Sequence, residues 1–285
     1  MALGTDQMTG TTLNVYRPNI WSRETLKARE KNLVLVPRVK HYDRDIQSKG
    51  QTVEIPNLSN LTANLKVANT QVTLNAPTET KTTITINQHY ESSFLMEDYA
   101  EIQSAYDAAR EYTEKTGYAL AEKMDSFVAT KMTSGATQVV GAYGTAITDS
   151  AILLGNRYLD DAKAPGSERY LAVTPQGKQE MLAIDKYVRY DAIGIGGANN
   201  TIKNGSIGRI YDIEVSMSQN LVVTAATPTQ NNHLLFHREA FAIAVQKDVK
   251  FESQRKSEYL GTLYVAQCLF GGTMLRTDHA VVIHS

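Results

Sequence analysis

One amphipathic segment, from Phe94 to Met132, constrains the fold of this chain more than any other part of the sequence. It contains no proline and a single glycine, Gly117. Its side chains recur at steps of about four and three, the period of an amphipathic α-helix. The recurring positions are Leu95, Tyr99, Ile102, Tyr106, Ala109, Thr113, Thr116, Leu120, Met124 and Phe127. At 1.5 Å per residue the helix would be roughly 58 Å long, about twice the width of a small domain.

A helix of this length indicates either a coiled coil or the backbone of an elongated protein. The chain has only one such helix, and Thr113 and Thr116 interrupt its seam, so the elongated protein is favoured. Glycine inside a helix costs roughly 1 kcal/mol relative to alanine. Gly117 therefore predicts a bend or a close backbone approach.

The composition excludes several classes of protein. The chain has 285 residues, of which 42% are hydrophobic, and a net charge of −1. It can bury a sizeable core but lacks the basic excess of a dedicated nucleic-acid binder. It has no apolar run long enough to cross a membrane and no leader-like start, so neither insertion nor secretion is expected. The single cysteine, Cys268, excludes an intrachain disulfide and is expected to be a small buried hydrophobe.

The region from Tyr16 to Lys49 is rich in basic residues. Within it, the stretch from Trp21 to Asn32 has helical character and carries Arg23, Lys27, Arg29 and Lys31. A solvated face explains such a run. The more specific alternative is an arm that lies on a neighbouring subunit or faces a polyanion, and the solvated face is favoured over it.

Residues 50–88 predict an extended β-hairpin of two or three strands. Threonine and β-branched residues dominate, and apolar positions alternate with polar ones. The apolar positions are Val53, Ile55, Val67, Val72, Leu74, Ile84 and Ile86. A two-stranded ribbon is marginal alone in water. A second copy of the chain is the simplest support, so these side chains are predicted to form an intersubunit contact.

After the long helix, helical and strand patterns alternate. A connector rich in small and polar residues over 133–144 is followed by two predicted helices, Thr148–Ala162 and Pro175–Ile184. This alternation indicates a small α/β domain. The predicted strands are Arg169–Thr174, Ile207–Val215, His233–His237, Ala240–Val245, Val249–Ser253, Thr262–Phe270 and Met274–Ile283. The last two are expected to pair across a Gly271-Gly272 turn.

No motif in the sequence asks for catalysis, a metal or a cofactor. The loop that carries Gly194, Gly196 and Gly197 is not a dinucleotide fingerprint, because Asn199 stands where the third glycine is needed. It predicts a surface loop. His233 and His237 lack the glutamate of a zinc helix and lie in a strand pattern, so they are expected to be core or edge histidines.

The order of these elements resembles the major capsid protein of tailed bacteriophages, in particular podovirus-like coats. The phrases that carry the resemblance are Tyr170–Gly177, Asn204–Leu221, Phe241–Glu252 and Tyr264–Gly272. The resemblance implies an α+β phage major-capsid fold that covers nearly the whole chain. Its parts are an N-terminal arm (1–49), an E-loop hairpin (50–90), a spine helix and connector (91–140), an A domain (141–232) and return strands, mainly of the P-domain sheet (233–285).

The resemblance implies a coat protein that self-assembles into pentamers and hexamers of an icosahedral shell around double-stranded DNA. The glycine loop would point at a symmetry axis, and the basic arm would face DNA without sequence specificity. Implied partners are scaffolding, portal and decoration proteins, with no cofactor and no membrane. Since the basic arm begins almost at once, the resemblance implies either a separate scaffolding protein or an already matured chain, and Met1 favours the separate scaffolding protein. The implied location is the virion capsid, with assembly in the host cytoplasm.

Two alternatives stay open at this point. An encapsulin-like bacterial compartment shares the same fold, although the sequence displays no cargo-binding site. A soluble α/β enzyme would use the glycine loop of residues 192–200.

Overall fold

The computed structural model describes residues 30–31, 33–46, 50–99, 108–188 and 208–285. Several predicted positions lie outside these residues, namely Ile102, Tyr106, Arg23, Lys27, Arg29, Gly194, Gly196 and Gly197. In the described part, one long helix packs against residues of two β-sheets.

The elements follow one another along the chain in a mixed order. The strands are β1 Lys40–His41, β2 Thr52–Asn57, β3 Thr80–Glu97, β4 Gln138–Val140, β5 Arg169–Val173, β6 Arg209–Ile210, β7 Ile213–Met217, β8 Val223–Thr224, β9 Gln230–His237, β10 Phe241–Lys256, β11 Gly261–Met274 and β12 Ala280–His284. The α-helices are α1 Ala108–Gly135, α2 Asp149–Asp161, α3 Pro175–Leu182 and α4 Asp185–Val188.

The first sheet has five strands in the order β1-β10-β11-β3-β2. Three long antiparallel strands form its centre, and β3 alone spans 18 residues. The alternation of threonine with isoleucine in β3 places Ile84 and Ile86 on the same face, because side chains in a strand repeat every two residues. This face packs against the beginning of β10.

Helix α1 confirms the predicted spine over most of its length. Leu120, Met124 and Met132 are buried with side chains of both sheets, among them Phe241 and Phe270. The C-terminal strands therefore cover the seam of the helix. The neighbour of Gly117 is a side chain and not the predicted backbone, since a Cβ atom there would lie 3.3 Å from the Phe251 ring.

The predicted start of the helix is wrong. Phe94 and Leu95 belong to β3, which pairs with β11 as far as Glu97. A run of four residues with alternating exposure fits a strand as well as a helix. Residues 94–97 form a strand and not a helix because β11 supplies their backbone hydrogen-bond partners.

The second sheet has the order β4-β12-β9-β5-β7-β6, with β8 paired to β9. The predicted strands at 169–174 and 233–237 and the helices at 148–162 and 175–184 are confirmed to within three residues at each end. Thr148 and Thr174 cap these two helices by accepting backbone N–H groups. The predicted strand 207–215 is instead a tight hairpin, because Tyr211 and Asp212 both adopt positive φ.

The predicted Gly271-Gly272 turn is also wrong. Strand β11 runs straight through both glycines, while β12 joins the other sheet between β4 and β9. A Cβ atom at position 271 would lie 2.2 Å from the Thr85 carbonyl oxygen. Glycine therefore stands here to let two backbones approach at a bulge, where the β11–β3 register shifts.

Candidate intersubunit surface

The root of the predicted hairpin belongs to the core of this chain. Strands β2 and β3 pair from Thr52–Thr85 to Asn57–Thr80. Ile84 and Ile86 are buried together with Ile46 and the start of β10, and Val53 and Ile55 pack partly against them. This chain therefore covers Ile84 and Ile86 itself, whereas Val53 and Ile55 keep part of their surface exposed and stay predicted contact residues.

Residues 58–79, which we call the hairpin loop, have the opposite character. No residue of the loop belongs to a strand, and every one of them is exposed. Its six large apolar side chains are each between 58% and 94% exposed: Leu58, Leu61, Leu65, Val67, Val72 and Leu74. The strand character predicted around Val67, Val72 and Leu74 is absent, because no backbone among the described residues pairs with these positions. A projecting loop with this much uncovered apolar surface is typical of a protein–protein contact.

The sequence pattern missed two of the six apolar side chains of the hairpin loop and placed three others on strands that do not form. Leu58 and Leu61 were not singled out, since they fall outside any alternating run. The sequence analysis predicted contact residues on strands at Val67, Val72 and Leu74. In the structure these side chains are exposed, but they do not lie on strands. The feature of the sequence that could have indicated this contact surface is the number of apolar residues in a segment too poor in them to build a core of its own.

Polar side chains organise the hairpin loop internally. The Lys66 ammonium donates to the Val67 carbonyl oxygen at 2.7 Å, to the Thr70 hydroxyl at 3.3 Å and to the Thr70 carbonyl oxygen. The Asn75 amide joins the two legs of the loop: it accepts from Thr62 and Asn64 and donates back to the Thr62 carbonyl oxygen at 2.6 Å.

The N-terminal segment is fastened to α1 of the same chain. One oxygen of the fully buried Asp125 accepts the backbone N–H groups of Leu35 at 2.7 Å and Val36 at 3.1 Å. Its other oxygen accepts from the Asn220 amide at 3.0 Å. The Lys31 ammonium pairs with Glu122 on α1 at 2.6 Å. Lys31 is thus engaged within its own chain, which weakens its assignment to a DNA-facing group.

A second polar cluster lies at the start of α2. The carboxylate of Asp149 accepts from the hydroxyls of Tyr187 and Tyr211 and from Lys186. Burial alone would raise the pKa of Asp149, but these hydrogen bonds outweigh it and lower the pKa. Burial also raises the pKa of Tyr187. The cluster holds together the two chain ends that flank residues 189–207.

A further exposed apolar patch lies where β10 turns into β11. Tyr99, Tyr259 and Leu260 are more than half exposed. They line a cavity of about 460 Å³ together with Glu97, Asp98 and Glu258. Sequence analysis did not identify this patch, because its members are far apart in the chain.

His233 and Cys268 are buried residues of the core. His233 is fully buried, accepts the Thr174 N–H and contacts the Ser285 hydroxyl at 3.0 Å. Burial lowers its pKa to about 4, so the ring is neutral near pH 7. Cys268 is buried, and burial raises its pKa. Both residues match their predicted core roles.

Among the described residues, no group of His, Cys, Asp and Glu side chains has the arrangement of a metal site. In the same part of the chain, no helix combines the length and apolar character that crossing a membrane requires.

Comparison with known proteins agrees with this architecture. The model of the family described as "Phage capsid protein" matches residues 43–284. A structure titled "Mycobacterium phage Che8" has a TM-score of 0.80 at 24% identity, with 94% of this chain and 97% of that chain covered. No curated protein matches.

Two other solved structures share the fold. The capsid structure of the cyanophage P-SCSP1u has a TM-score of 0.77 at 22% identity, and 99% of this chain and 96% of that chain are covered. The head structure of the Helicobacter pylori bacteriophage KHP40 has a TM-score of 0.79 at 12% identity, with 99% of both chains covered.

These similarities define the class as shell-forming structural proteins with the α+β phage major-capsid fold. Because the family model spans most of the sequence, the chain belongs to the phage capsid protein family. Its function is that of a major capsid protein, its place is the virion capsid, and its first partner is itself. The family match favours the phage capsid over the compartment shell and the soluble enzyme.

Proposed function

We propose that this capsid protein forms the pentamers and hexamers of an icosahedral shell that encloses double-stranded DNA, and that its role is purely structural. The observation that supports this proposal most directly is the hairpin loop, whose six apolar side chains are exposed and not covered by any of the described residues. In a closed shell every subunit has neighbouring copies of the same chain, so a second copy is the partner that would cover this loop.

The energetics of this contact favour a repeating assembly over an isolated dimer. Burying one large apolar side chain contributes roughly 1.5–3 kcal/mol. Six such side chains contribute roughly 9–18 kcal/mol, which is similar to the roughly 4–15 kcal/mol that association costs. A single contact is therefore weak. Many contacts that close on one another stabilise the shell, because each further contact within a partly closed shell forms at a high effective concentration.

The division into parts is proposed on the same basis, with the arm at 1–49, the hairpin at 50–90, the spine and connector at 91–140, the A domain at 141–232 and the return strands at 233–285. The glycine loop within 192–200 is proposed to face a symmetry axis. The cluster around Asp149 supports this proposal, since it fixes both ends of the 189–207 segment.

Contact with DNA is proposed to be electrostatic and independent of sequence. Arg23, Lys27 and Arg29 remain the proposed inner-face groups, while Lys31 is less suitable because Glu122 neutralises it. Scaffolding, portal and decoration proteins are proposed partners during assembly, which would take place in the host cytoplasm.

The test replaces the hairpin loop without disturbing the core. Asn57 and Thr80 are direct cross-strand partners, so an Asn-Gly dipeptide can replace residues 58–79 as a two-residue turn. We expect this variant to fold with unchanged stability and to form no shells by electron microscopy and sedimentation. Shells of normal size and yield would contradict the proposed role of the loop.

A second variant keeps the loop and changes only its exposed apolar side chains. Replacing Leu65, Val72 and Leu74 by serine removes apolar area that this chain does not bury. The same loss of shells is expected from this variant, with the unfolding free energy unchanged.

A further inference from the structure

The hairpin loop has a defined shape although no strand pairs its two legs. Side chains replace the missing backbone ladder. A lysine ammonium has three N–H donors, and three oxygens of the loop lie within hydrogen-bonding reach of the Lys66 ammonium: the Val67 carbonyl, the Thr70 carbonyl and the Thr70 hydroxyl. The charge of Lys66 is thus directed at the tip of its own loop.

The backbone of the tip fits this arrangement. Asn69 adopts the left-handed conformation at φ 59°, which asparagine tolerates better than most residues. The Thr70 hydroxyl donates to the Val67 carbonyl oxygen at 2.7 Å, and the Thr70 N–H points to the same oxygen at 3.4 Å. These bonds close a turn over residues 67–70.

Further down the loop, Asn75 holds the two legs together. Its side-chain oxygen accepts from the Thr62 hydroxyl at 3.1 Å and from the Asn64 amide at 3.2 Å. Its amide nitrogen donates to the Thr62 carbonyl oxygen at 2.6 Å. One side chain therefore bridges segments 13 residues apart.

We propose that Lys66, Thr70 and Asn75 fold the tip of the hairpin loop before assembly, so that a second copy of the chain meets an apolar surface that is already formed. This inference rests on the proposed function of the loop and assigns positioning roles to three polar residues. Ordering a flexible segment costs roughly 1–2 kcal/mol for each residue. For a loop of 22 residues, paying that cost at the moment of docking would cancel the gain from six buried apolar side chains.

The arrangement also explains why a lysine stands between Leu65 and Val67 on an apolar contact surface. An ammonium that loses water without a partner is strongly unfavourable in an interface. Here the oxygens of the tip provide partners in advance, so docking does not leave the charge unpaired.

The experiment compares Lys66→Met with Lys81→Met in the full chain. Methionine keeps much of the length of lysine and removes its donors. Lys81 pairs with Glu54 on the paired strands β2 and β3, where the backbone ladder already fixes the geometry, so it is the matched control. The two measurements are hydrogen exchange of residues 66–75 in unassembled subunits and the lowest protein concentration at which shells form.

For Lys66→Met we expect faster exchange across 66–75 and a rise of about tenfold in the concentration needed for shells, the equivalent of one or two lost hydrogen bonds. Asn75→Ala is expected to act in the same direction. Thr70→Val removes the hydroxyl alone and is expected to have a smaller effect. Lys81→Met is expected to change neither measurement.

Two results would overturn the inference. Unchanged exchange together with impaired assembly of Lys66→Met would show that Lys66 acts across the interface and not within the loop. No change in either measurement would show that the tip needs no such support. The Asn-Gly replacement of 58–79 separates these failures from a failure of the proposed function, since it prevents shells only if the loop itself is a contact.

Discussion

At the scale of single residues, Asp125 connects three parts of the chain that are distant in sequence. Its carboxylate is fully buried and receives N–H groups from Leu35, Val36 and Asn220. Among the described residues these three donors are neutral groups, and together they supply hydrogen bonds to both carboxylate oxygens. The sequence does not predict this role. An aspartate in a helical pattern is expected to face solvent, and its hydrogen-bond partners are about 90 residues away in the chain.

Asp125→Ala is predicted to lower the free energy of unfolding by about 3 kcal/mol, because it leaves buried N–H groups without acceptors. Urea unfolding followed by circular dichroism measures this change. Asp161→Ala, which removes an exposed ion pair with Arg157, is the control and should have little effect.

Asp125→Asn is expected to be much milder than the alanine variant. The Asn220 side-chain oxygen has no hydrogen-bond partner among the described residues. A flip of the Asn220 amide would therefore let this oxygen accept from the new amide. Equal losses for the alanine and asparagine variants would contradict this account.

At the scale of elements, the sequence patterns predicted whether a segment is a helix or a strand better than they predicted which strands pair with each other. The helices at 149–161 and 175–182 were predictable because a threonine cap precedes each of them and proline opens the second. Phe94 to Glu97 was assigned to the wrong element, because its amphipathic pattern has no local feature that excludes a helix. The long register with β11, almost 170 residues later, decides its conformation.

Glycine caused the second error at this scale. A Gly-Gly pair between two apolar runs is a strong turn signal, yet Gly271 and Gly272 continue a strand. Their function is steric, and steric demands depend on which backbone lies opposite. That information is absent from the local sequence.

Gly271→Ala is predicted to destabilise the protein by about 2–3 kcal/mol, because its Cβ atom would clash with the Thr85 carbonyl oxygen and separate β11 from β3. Thermal and urea unfolding measure the change. Gly166→Ala is the matched control, since nothing lies within 4 Å of a Cβ atom there. If both variants unfold at the same urea concentration, the close approach is not a constraint.

At the scale of the whole molecule, the order of elements indicated the capsid fold, whereas the three-dimensional roles of its surfaces needed the structure. The sequence predicted one hairpin as one contact. The structure divides it into a root that belongs to the core and a loop that is available to a partner. The division follows from which strands lie beneath the hairpin, and these come from the last third of the chain.

The pH dependence of folding is also a property of the whole molecule. Burial lowers the pKa values of His233, His237 and His284, that of His233 to about 4. In the unfolded chain these values return to about 6.5. Unfolding therefore takes up protons as the pH falls below 6.5, and the protein loses stability in that direction. Above pH 6.5 these groups contribute no pH dependence.

We predict that the free energy of unfolding falls steadily from pH 7 to pH 5, with about 3 kcal/mol from His233 alone lost once the pH reaches 4. Carboxyls whose pKa is lowered, such as Asp149 and Glu239, lose their contribution only below their ordinary pKa values of 3.8 and 4.5. Urea unfolding across this range measures the slope, and His233→Asn should flatten it. Parallel curves for the variant and the natural chain would assign the slope to other groups.

The position of β12 has a consequence for synthesis on the ribosome. This strand, at residues 280–284, is inserted between β4 and β9 in the interior of the second sheet, and β10 and β11 cover the seam of α1. Neither sheet can be completed until nearly the whole chain has emerged. At translation rates of about 5–20 residues per second, the covering strands follow the helix by roughly seven to thirty seconds. Throughout that interval a nascent chain exposes the apolar seam of α1, which is the kind of surface that molecular chaperones bind.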